Sequence, residues 1–434
     1  MSVRHMEFNG IRIDVDRLLE LGSAYEKRIR SEEVEFWEAA GEKVDYAKNA
    51  EVVDFLFNSP KDANRPGLGL PVLKRSVKTN APSTEKSVLQ RLSLMHPAID
   101  HLLTLKQLIH QKRNFLDGYG NSKGQVLPNI TPDGKLHANY RVDGTDTGRL
   151  STARPNIMNI PNDPILKELP NIRSMFIPSP GKVFIESDYS QLELWVIAIM
   201  SDDQLMLKHL RSGDMHRQTA AELLYHKPAD QITSSERSKA KAVNFGIAYL
   251  MGYMSLAYNL RIDPEEAKGI LKKWFRGYYR VREMMEAVQE FALSYGYYDT
   301  VFGRRRHLPE LINQPTYDPK WDSKKQHIMR SIANFPIQST GSDILSMSTI
   351  SLVLYPFDDF TATGAQPVMS LHDALYFEVD EDKAEDARLI IKEVMEGVPR
   401  ELLGDDWALR ADAKIVPYWG YDPEEEAKRA ARAA

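Results

Sequence analysis

The stretch ERSKAKAVNFGIAYL, residues 236–250, decides how the rest of the chain is read. Its composition is helical, and four residues turn a helix by about 400°. Arg237, Lys241, Phe245 and Tyr249 therefore drift by only about 40° per step and share one side. Two cations followed by two rings suit neither a solvated face, which mixes signs, nor a core face, which excludes cations. A ligand that is anionic at one end and flat at the other would suit them. Cationic donors grip phosphates, and aromatic rings stack on bases. The bland alternative, and the commoner one for such a stripe taken alone, is a helix half-buried by its rings with its cations at the rim.

Working outward, Thr233 and Glu236 form a capping box that opens this helix. Asp263, Pro264 and Glu266 have the N-cap, N1 and N3 chemistry that starts the next one. Upstream, GKVFIESDYSQLELWVIAIM (181–200) begins as a buried strand, Val183 to Ser187, and turns into a helix. Downstream, PVMSLHDALYFEV (367–379) reads as a strand pair or hairpin, and a helix follows over 382–398. From Val15 to about Glu42 the apolar residues Leu18, Leu21, Tyr25 and Ile29 recur at helical spacing. The stretch 97–120 is an amphipathic helix carrying Ile99, Leu102, Leu105 and Ile109, with Lys112 and Arg113 near its C-terminal end, where cations suit the dipole. Pro, Gly and Asn make 58–71 a loop, 121–151 reads as hairpins and loops, and the Ala-rich tail 422–434 reads as a surface helix.

With 434 residues the chain exceeds one compact domain. It has no cysteine, which excludes disulfides and thiolate zinc sites. No apolar run approaches a membrane span, and MSVRHMEFNG lacks a signal-peptide core, so the expectation is a soluble, cytoplasmic protein. The net charge of −5 is unevenly spread. Residues 14–57 and the tail from Glu401 are acidic, whereas 101–154 carries eight Lys and Arg against four Asp, and 236–330 is also basic. Basic lobes between acidic ends can hold a polyanion, although a single charge run is ordinarily a solvated face.

Two aspartates sit where a bland fold would not put them. Asp188 ends the apolar run KVFIES, and Asp373 interrupts VMSLHDALYFEV where alternation would place an apolar side chain. A buried carboxylate is costly unless it meets a cation. Two of them at strand ends could hold divalent metal, with waters and phosphate oxygens completing octahedral Mg²⁺. Either one alone is more simply an N-cap or a structural pair.

At these residues the sequence resembles the polymerase module of family A DNA polymerases, the bacterial DNA polymerase I and phage type. DYSQLEL (188–194) resembles the family's first motif, RSKAKAVNFGIAY (237–249) its second and LHDALYFEV (371–379) its third. TGRLS (147–151), PNIMNIP (155–161), FGRRRHLPEL (302–311) and NFPIQSTGSDI (334–344) agree in order and spacing, and the likeness covers nearly the whole chain. It implies an α+β multidomain right-hand fold, with an antiparallel-sheet palm and helical fingers and thumb. The implied boundaries are a thumb at 1–120, palm at 121–210 and 335–434 with the C-terminal tail, and fingers at 211–334.

The resemblance also implies roles. Asp188 and Asp373, with the carbonyl of Tyr189, would hold two Mg²⁺ ions, with Mn²⁺ as a substitute. Arg237 and Lys241 would bind the β and γ phosphates of a deoxynucleoside triphosphate, and Lys241 would protonate pyrophosphate. His216 would contact phosphate. Phe245, Tyr249 and Gln191 would line the nucleotide site, with Glu193 as the gate that crowds a ribose 2′-OH. Arg149, Gln338, His372, Asn334, Asn156 and Asn159 would meet primer, template or nascent pair, and Lys112 and Arg113 the duplex minor groove. The expected partners are primer–template DNA and deoxynucleotides, with no membrane, and the expected state is a monomer.

Departures from the family pattern are equally specific. Ala374 stands where the third motif usually has Glu, Trp195 where Arg usually follows LEL, and QSTGSD replaces QGTAAD. Thumb-like sequence begins near Met6, so no 3′–5′ exonuclease is expected within this chain, which is either a phage-like enzyme without one or a piece of a longer protein. A single-subunit RNA polymerase shares the three motifs, but Glu193 would defeat it. A non-catalytic DNA clamp would not need both aspartates and Lys241, although Ala374 speaks for it.

Overall fold

The computed structural model describes residues 2–76, 79–117, 126–248, 251–313, 321–354, 358–424 and 426–427. The chain forms two compact units, one of residues 1–11, 137–158 and 178–417, the other of residues 12–136, 159–177 and 418–434.

In the first unit four antiparallel strands run in the spatial order Ala411–Val416, Lys182–Tyr189, Ala374–Asp380, Gln366–Leu371. The sequence alternates along the second of them. Ile185, Ser187 and Tyr189 are buried, while on the other face Phe184 is buried, Glu186 half-buried and Asp188 exposed at the strand's end. Period two sends these sets to opposite faces. Pairing carries the same division across the sheet, because Leu375 lies opposite Ser187 and Phe377 opposite Ile185, whereas Ala374 and Tyr376 lie opposite Asp188 and Glu186. A one-residue slip would bury the carboxylates, so the apolar face dictates the register.

Two helices support the apolar face, Trp321–Leu354 and Ala384–Leu403. The Tyr189 hydroxyl lies 2.8 Å from Ser348 Oγ on one and donates to the Met395 carbonyl on the other at 2.6 Å. The same core continues through Leu192–Ser201 into a group of helices around Ser234–Ala248, Pro264–Gly277 and Tyr279–Tyr295. Two helix starts form as the sequence predicts. The Thr233 amide donates to Glu236 at 3.0 Å, and the Glu236 amide donates back to Thr233 Oγ1 at 3.2 Å. Asp263 caps the next helix by accepting from the Glu265 amide at 2.8 Å.

The second unit is built on the helices Val15–Ala40 and Ala98–Gln111. Leu18, Leu21 and Tyr25 are fully buried, as their spacing predicts. Ile99, Leu102 and Leu105 are buried too, but Leu103 and Leu108 complete that face while Ile109 stays half-exposed. A widened turn, Lys112–Leu116, follows this helix. Residues 428–434 of the expected tail helix lie outside the described residues.

Phe36 is fully buried in this unit, its ring edge-on to Phe55 at 6.0 Å. Phe36→Ala is expected to cost about 3–5 kcal/mol. Val34→Ala, on the exposed side of the same helix, should stay within about 0.5 kcal/mol. Urea denaturation followed by circular dichroism compares the two, and equal costs would contradict the packing described.

Candidate active site

The carboxylate site forms at one end of the central strand pair. Leu371 pairs with Ala374, so His372 and Asp373 are the two-residue loop of a hairpin. That explains how an aspartate interrupts an apolar run: it occupies the turn rather than a strand position. His372 has φ of 52°, in the left-handed region that a non-glycine residue enters at a cost. The Tyr189 amide donates to the Asp373 carbonyl at 3.3 Å, which ties this turn to the end of the strand bearing Asp188.

Asp188 faces further carboxylates. Asp412 lies directly opposite it on the edge strand, and Glu186 precedes it on the same face with Lys414 opposite. Surrounding protein atoms desolvate Asp188, and the negative charges of Asp373, Glu186 and Asp412 add to this, pushing its pKa up to about 7. Its side chain nevertheless reaches solvent at this end of the sheet, although Phe184, Tyr376 and Glu378 further along the same face are buried. Desolvation and like charges together favour either a proton or a cation there. Asp412 accepts from Ser190 Oγ at 2.6 Å. The sequence reading passed over Asp412, and its only signal was a polar residue alternating with alanines in ADAKIV.

The donor set is all oxygen, from Asp188, Asp373 and the Tyr189 carbonyl, with no imidazole or thiolate among those three residues. Hard divalent cations such as Mg²⁺ take oxygen ligands, so the residues fit such an ion. A different cluster, Glu32, Glu35 and His101, brings its ligand atoms within 4.8 Å of one another in the second unit. There Arg28 donates to both glutamates and already supplies the positive charge.

Arg149 joins the predicted gate to the carboxylate site. Its Nη2 donates to Glu193 Oε1 at 2.6 Å and to Asp373 Oδ1 at 3.3 Å. Glu193 is 3% exposed, so this partner offsets a desolvated charge. Arg149 and His372 also line one cavity of about 200 Å³ with Ser342 and Ser346. Gly148 beside it has φ of 75°, a conformation that a side chain would strain, and a Cβ there would also push on the Arg304 guanidinium 2.4 Å away. Arg304 passes that point to donate to Asp343 at 2.6 Å.

The structure brings the phosphate candidates together in the first unit. Along Ser234–Ala248, Ala240, Val243, Asn244 and Ile247 are buried, Lys241 is exposed, and Arg237 and Phe245 are intermediate. The stripe of cations and ring thus lies on the outer side. Tyr249 lies outside the described residues. Arg237 Nε donates to Asp214 Oδ2 at 2.8 Å. Desolvation would raise the Asp214 pKa, but the Arg237 hydrogen bond, the Arg217 amide and both guanidiniums outweigh it and the net shift is downward. His216 packs its ring 5.5 Å from Phe245. Burial, then the charges of Arg237 and Lys241, push its pKa down to about 4. Asp214 and Asn244 hold this cluster in place, and sequence reasoning singled out neither.

The remaining candidates are more scattered. Gln191, at φ 58°, opens the helix that carries Glu193. Asn334 and Gln338 lie one turn apart on Trp321–Leu354, on either side of Pro336, and both are half-buried. Asn156 accepts from Thr152 Oγ1 at 3.3 Å in the first unit, and Asn159 is exposed in the second. Lys112 is held by Glu26 at 3.0 Å and Asp117 at 2.7 Å, whereas Arg113 is exposed.

A palm-like antiparallel sheet with paired carboxylates, joined in one unit to a helix bearing a cationic and aromatic stripe, defines a polymerase-type architecture. The chain belongs to DNA polymerase family A, whose profile matches residues 15–421. It is similar to the thermostable DNA polymerase I of Thermus filiformis, 33% identical over 414 residues that cover 93% of this chain and 46% of that protein. It is likewise similar to DNA polymerase I of Lactococcus lactis subsp. cremoris, 32% identical over 399 residues, 90% of this chain and 42% of the relative. The chain spans about half the length of the curated relatives it matches. Among solved structures it resembles the POL domain of Pol1 from M. smegmatis in complex with DNA primer-template and dNTP. The TM-score is 0.81 at 27% identity, covering 96% of this chain and 69% of that one. The family and the right-hand fold expected from the motifs are therefore borne out. No helix among the described residues is long and apolar enough to cross a membrane.

The raised pKa of Asp188 has a consequence for stability. Its folded-state value of about 7 exceeds the unfolded value, so ionising it as pH rises through that range works against folding. In metal-free protein, Asp188→Asn is expected to melt at a higher temperature than wild type above about pH 7. The gain should vanish below about pH 4, where the aspartate is protonated folded or unfolded. Thermal melts in chelator from acid to alkaline pH check this, and an unaltered difference across the range would contradict it.

Proposed function

We propose that this chain is a template-directed DNA polymerase that adds deoxynucleoside triphosphates to a primer 3′-OH and releases pyrophosphate. The observation that carries the proposal is the strand register that puts Asp188 beside the Asp373 turn at the end of the strand pair. The arrangement of Arg237, Lys241, His216 and Phe245 around one helix supports it.

In this reading Asp188, Asp373 and the Tyr189 carbonyl would hold two Mg²⁺ ions, whose chemistry would be to acidify the primer hydroxyl and to offset negative charge at the α-phosphate. The chain's own residues do the rest. Arg237 and Lys241 bind the β and γ phosphates as charged donors, with Asp214 holding the Arg237 fork by its Nε so that its outer nitrogens are presented together. The primer 3′-oxygen loses its proton to solvent, forms a bond to the α-phosphorus, and the bond to the β-phosphate oxygen breaks in line. Lys241, exposed on the outer side of its helix, gives its proton to the departing pyrophosphate. Phe245, Tyr249 and Gln191 flank the nucleotide. Arg149, His372, Asn334, Gln338, Asn156 and Asn159 meet the primer and template, and Arg113 and Lys112 the duplex minor groove.

Within this assignment residues 1–120 act as thumb, 211–334 as fingers and 121–210 with 335–434 as palm, and the protein works as a cytoplasmic monomer. We also assign no 3′–5′ exonuclease to this chain. Arg28 threads the Glu32, Glu35 and His101 cluster, which argues against that cluster as a nuclease metal site.

Primer extension tests the proposal. Asp188→Ala or Asp373→Ala should lower extension by about a thousandfold or more, given that metal stabilisation of the transferring phosphoryl group is worth several kcal/mol. Primer–template affinity should change little, because phosphate contacts elsewhere supply most of it. A variant that kept near wild-type turnover would defeat the assignment. Glu193→Ala tests sugar choice separately. Opening the buried gate should raise the ribo-to-deoxy ratio of kcat/KM by about tenfold or more, and an unchanged ratio would show that Glu193 does not read the sugar.

A further inference from the structure

The group behind the phosphate stripe contains a buried side chain whose orientation can be argued from chemistry alone. Asn244 is fully buried on Ser234–Ala248, on the side away from Lys241. The Trp274 indole Nε1 donates to Asn244 Oδ1 at 2.8 Å. An indole N–H is a donor only, so the atom facing it must be the amide oxygen. Asn244 therefore turns its NH₂ toward its other two partners, His216 Nδ1 at 3.0 Å and Thr219 Oγ1 at 3.1 Å. An NH₂ has only hydrogens to offer, and His216 Nδ1 must receive one with its lone pair. An imidazole that accepts at Nδ1 is neutral and carries its proton on Nε2.

Thr219 keeps this geometry rigid. Its hydroxyl donates to the Met215 carbonyl at 2.9 Å, one turn before it and next to His216, and lies 2.8 Å from the Tyr278 hydroxyl. Trp274, Thr219 and Asn244 are all fully buried, and His216 is 5% exposed, so water cannot readily substitute for a lost partner. The charged groups around His216 are Arg237 and Lys241 from the facing helix and Asp214 from its own turn. The two cations oppose a charge on the ring and outweigh Asp214, in agreement with the hydrogen-bond argument.

We propose that Asn244, oriented by Trp274, is a positioning residue that locks His216 as the neutral Nε2–H tautomer, so that this imidazole offers the triphosphate a hydrogen-bond donor rather than a positive charge. The proposal rests on the reading of His216 as a phosphate contact given above. It assigns the positive charge of the site to Arg237 and Lys241 and gives His216 a directional role that stays constant through neutral pH.

Two measurements test it. In ¹⁵N-histidine-labelled protein without nucleotide, long-range ¹H–¹⁵N correlation spectra near pH 7.5 should show His216 with Nε2 protonated and Nδ1 bare. Finding the Nδ1–H form or the imidazolium would overturn the proposal. Trp274→Phe, which frees the amide to flip, should give a mixture of the two neutral tautomers, and an unchanged single tautomer would remove Trp274 from the argument. Asn244→Asp supplies a carboxylate that still accepts from Trp274 but now demands a proton from Nδ1. Above neutral pH that variant should raise the nucleotide KM by about threefold to tenfold, the worth of one hydrogen bond, with kcat the less affected constant. As pH falls and His216 takes up a second proton, KM should recover, whereas wild type should show no such dependence. A KM shift in Asn244→Asp that is independent of pH would mean a merely structural role and would also overturn the proposal. Because the tautomer is read without substrate, an inactive protein with the Nε2–H form would sink the polymerase reading alone, and an active one with the Nδ1–H form would sink only this inference.

Discussion

The antiparallel pairing of Lys182–Tyr189 with Ala374–Asp380 holds the site together, and it joins segments separated by residues 190–373 of the 434-residue chain. The helix with the cationic stripe lies between them in the chain, and the strand Gln366–Leu371 returns to pair with the second. The closure is entropically expensive, and the apolar face offsets it by burying Ile185, Phe377, Leu375 and Val379 in one core. The same register that buries those residues has to expose Asp188 on the other face and set the Asp373 turn at its end. Carboxylates whose mutual repulsion would otherwise drive them apart are thus held together by hydrophobic packing on the reverse side of the sheet.

The electrostatics of the two halves of the site are opposite and each is locally unsettled. Around Asp188 the carboxylates exceed the cations, so the site calls for positive charge. Around His216 the surplus is of Arg237 and Lys241, and the ring is held neutral. Complementary ligands, a divalent cation and a polyphosphate, would relieve both. Arg149 ties the carboxylate end to the neighbouring helix, because it touches both the buried Glu193 and Asp373. A change in that guanidinium would disturb Glu193 and Asp373 together, even though the two lie in separate motifs of the sequence.

Secondary structure was legible where local chemistry is sufficient. The capping box of Thr233 and Glu236, the Asp263 cap and the apolar spacing of Leu18, Leu21 and Tyr25 all depend on neighbours a few residues away, and all formed as read. Ile109 was misjudged for the same reason in reverse. Helical spacing allows either Leu108 or Ile109 on the buried face, and only the packed neighbours choose Leu108.

By itself the sequence determined the family, the order of the motifs and the intrusive character of Asp188 and Asp373, because each is written in contiguous residues whose chemistry conflicts with a bland fold. Tertiary structure alone decided the partners. Asp412 joins Asp188, Asp214 grips Arg237, Arg149 reaches Glu193, and Trp274 orients Asn244 toward His216. None of these pairs shares a helical turn or a single strand, and several involve ordinary-looking residues. Their significance arises from distance and burial, which a linear pattern does not contain. A buried asparagine between an indole and an imidazole is indistinguishable in the sequence from one facing water; only the packed core removes water and so makes each proton's position a matter of which side chain stands opposite.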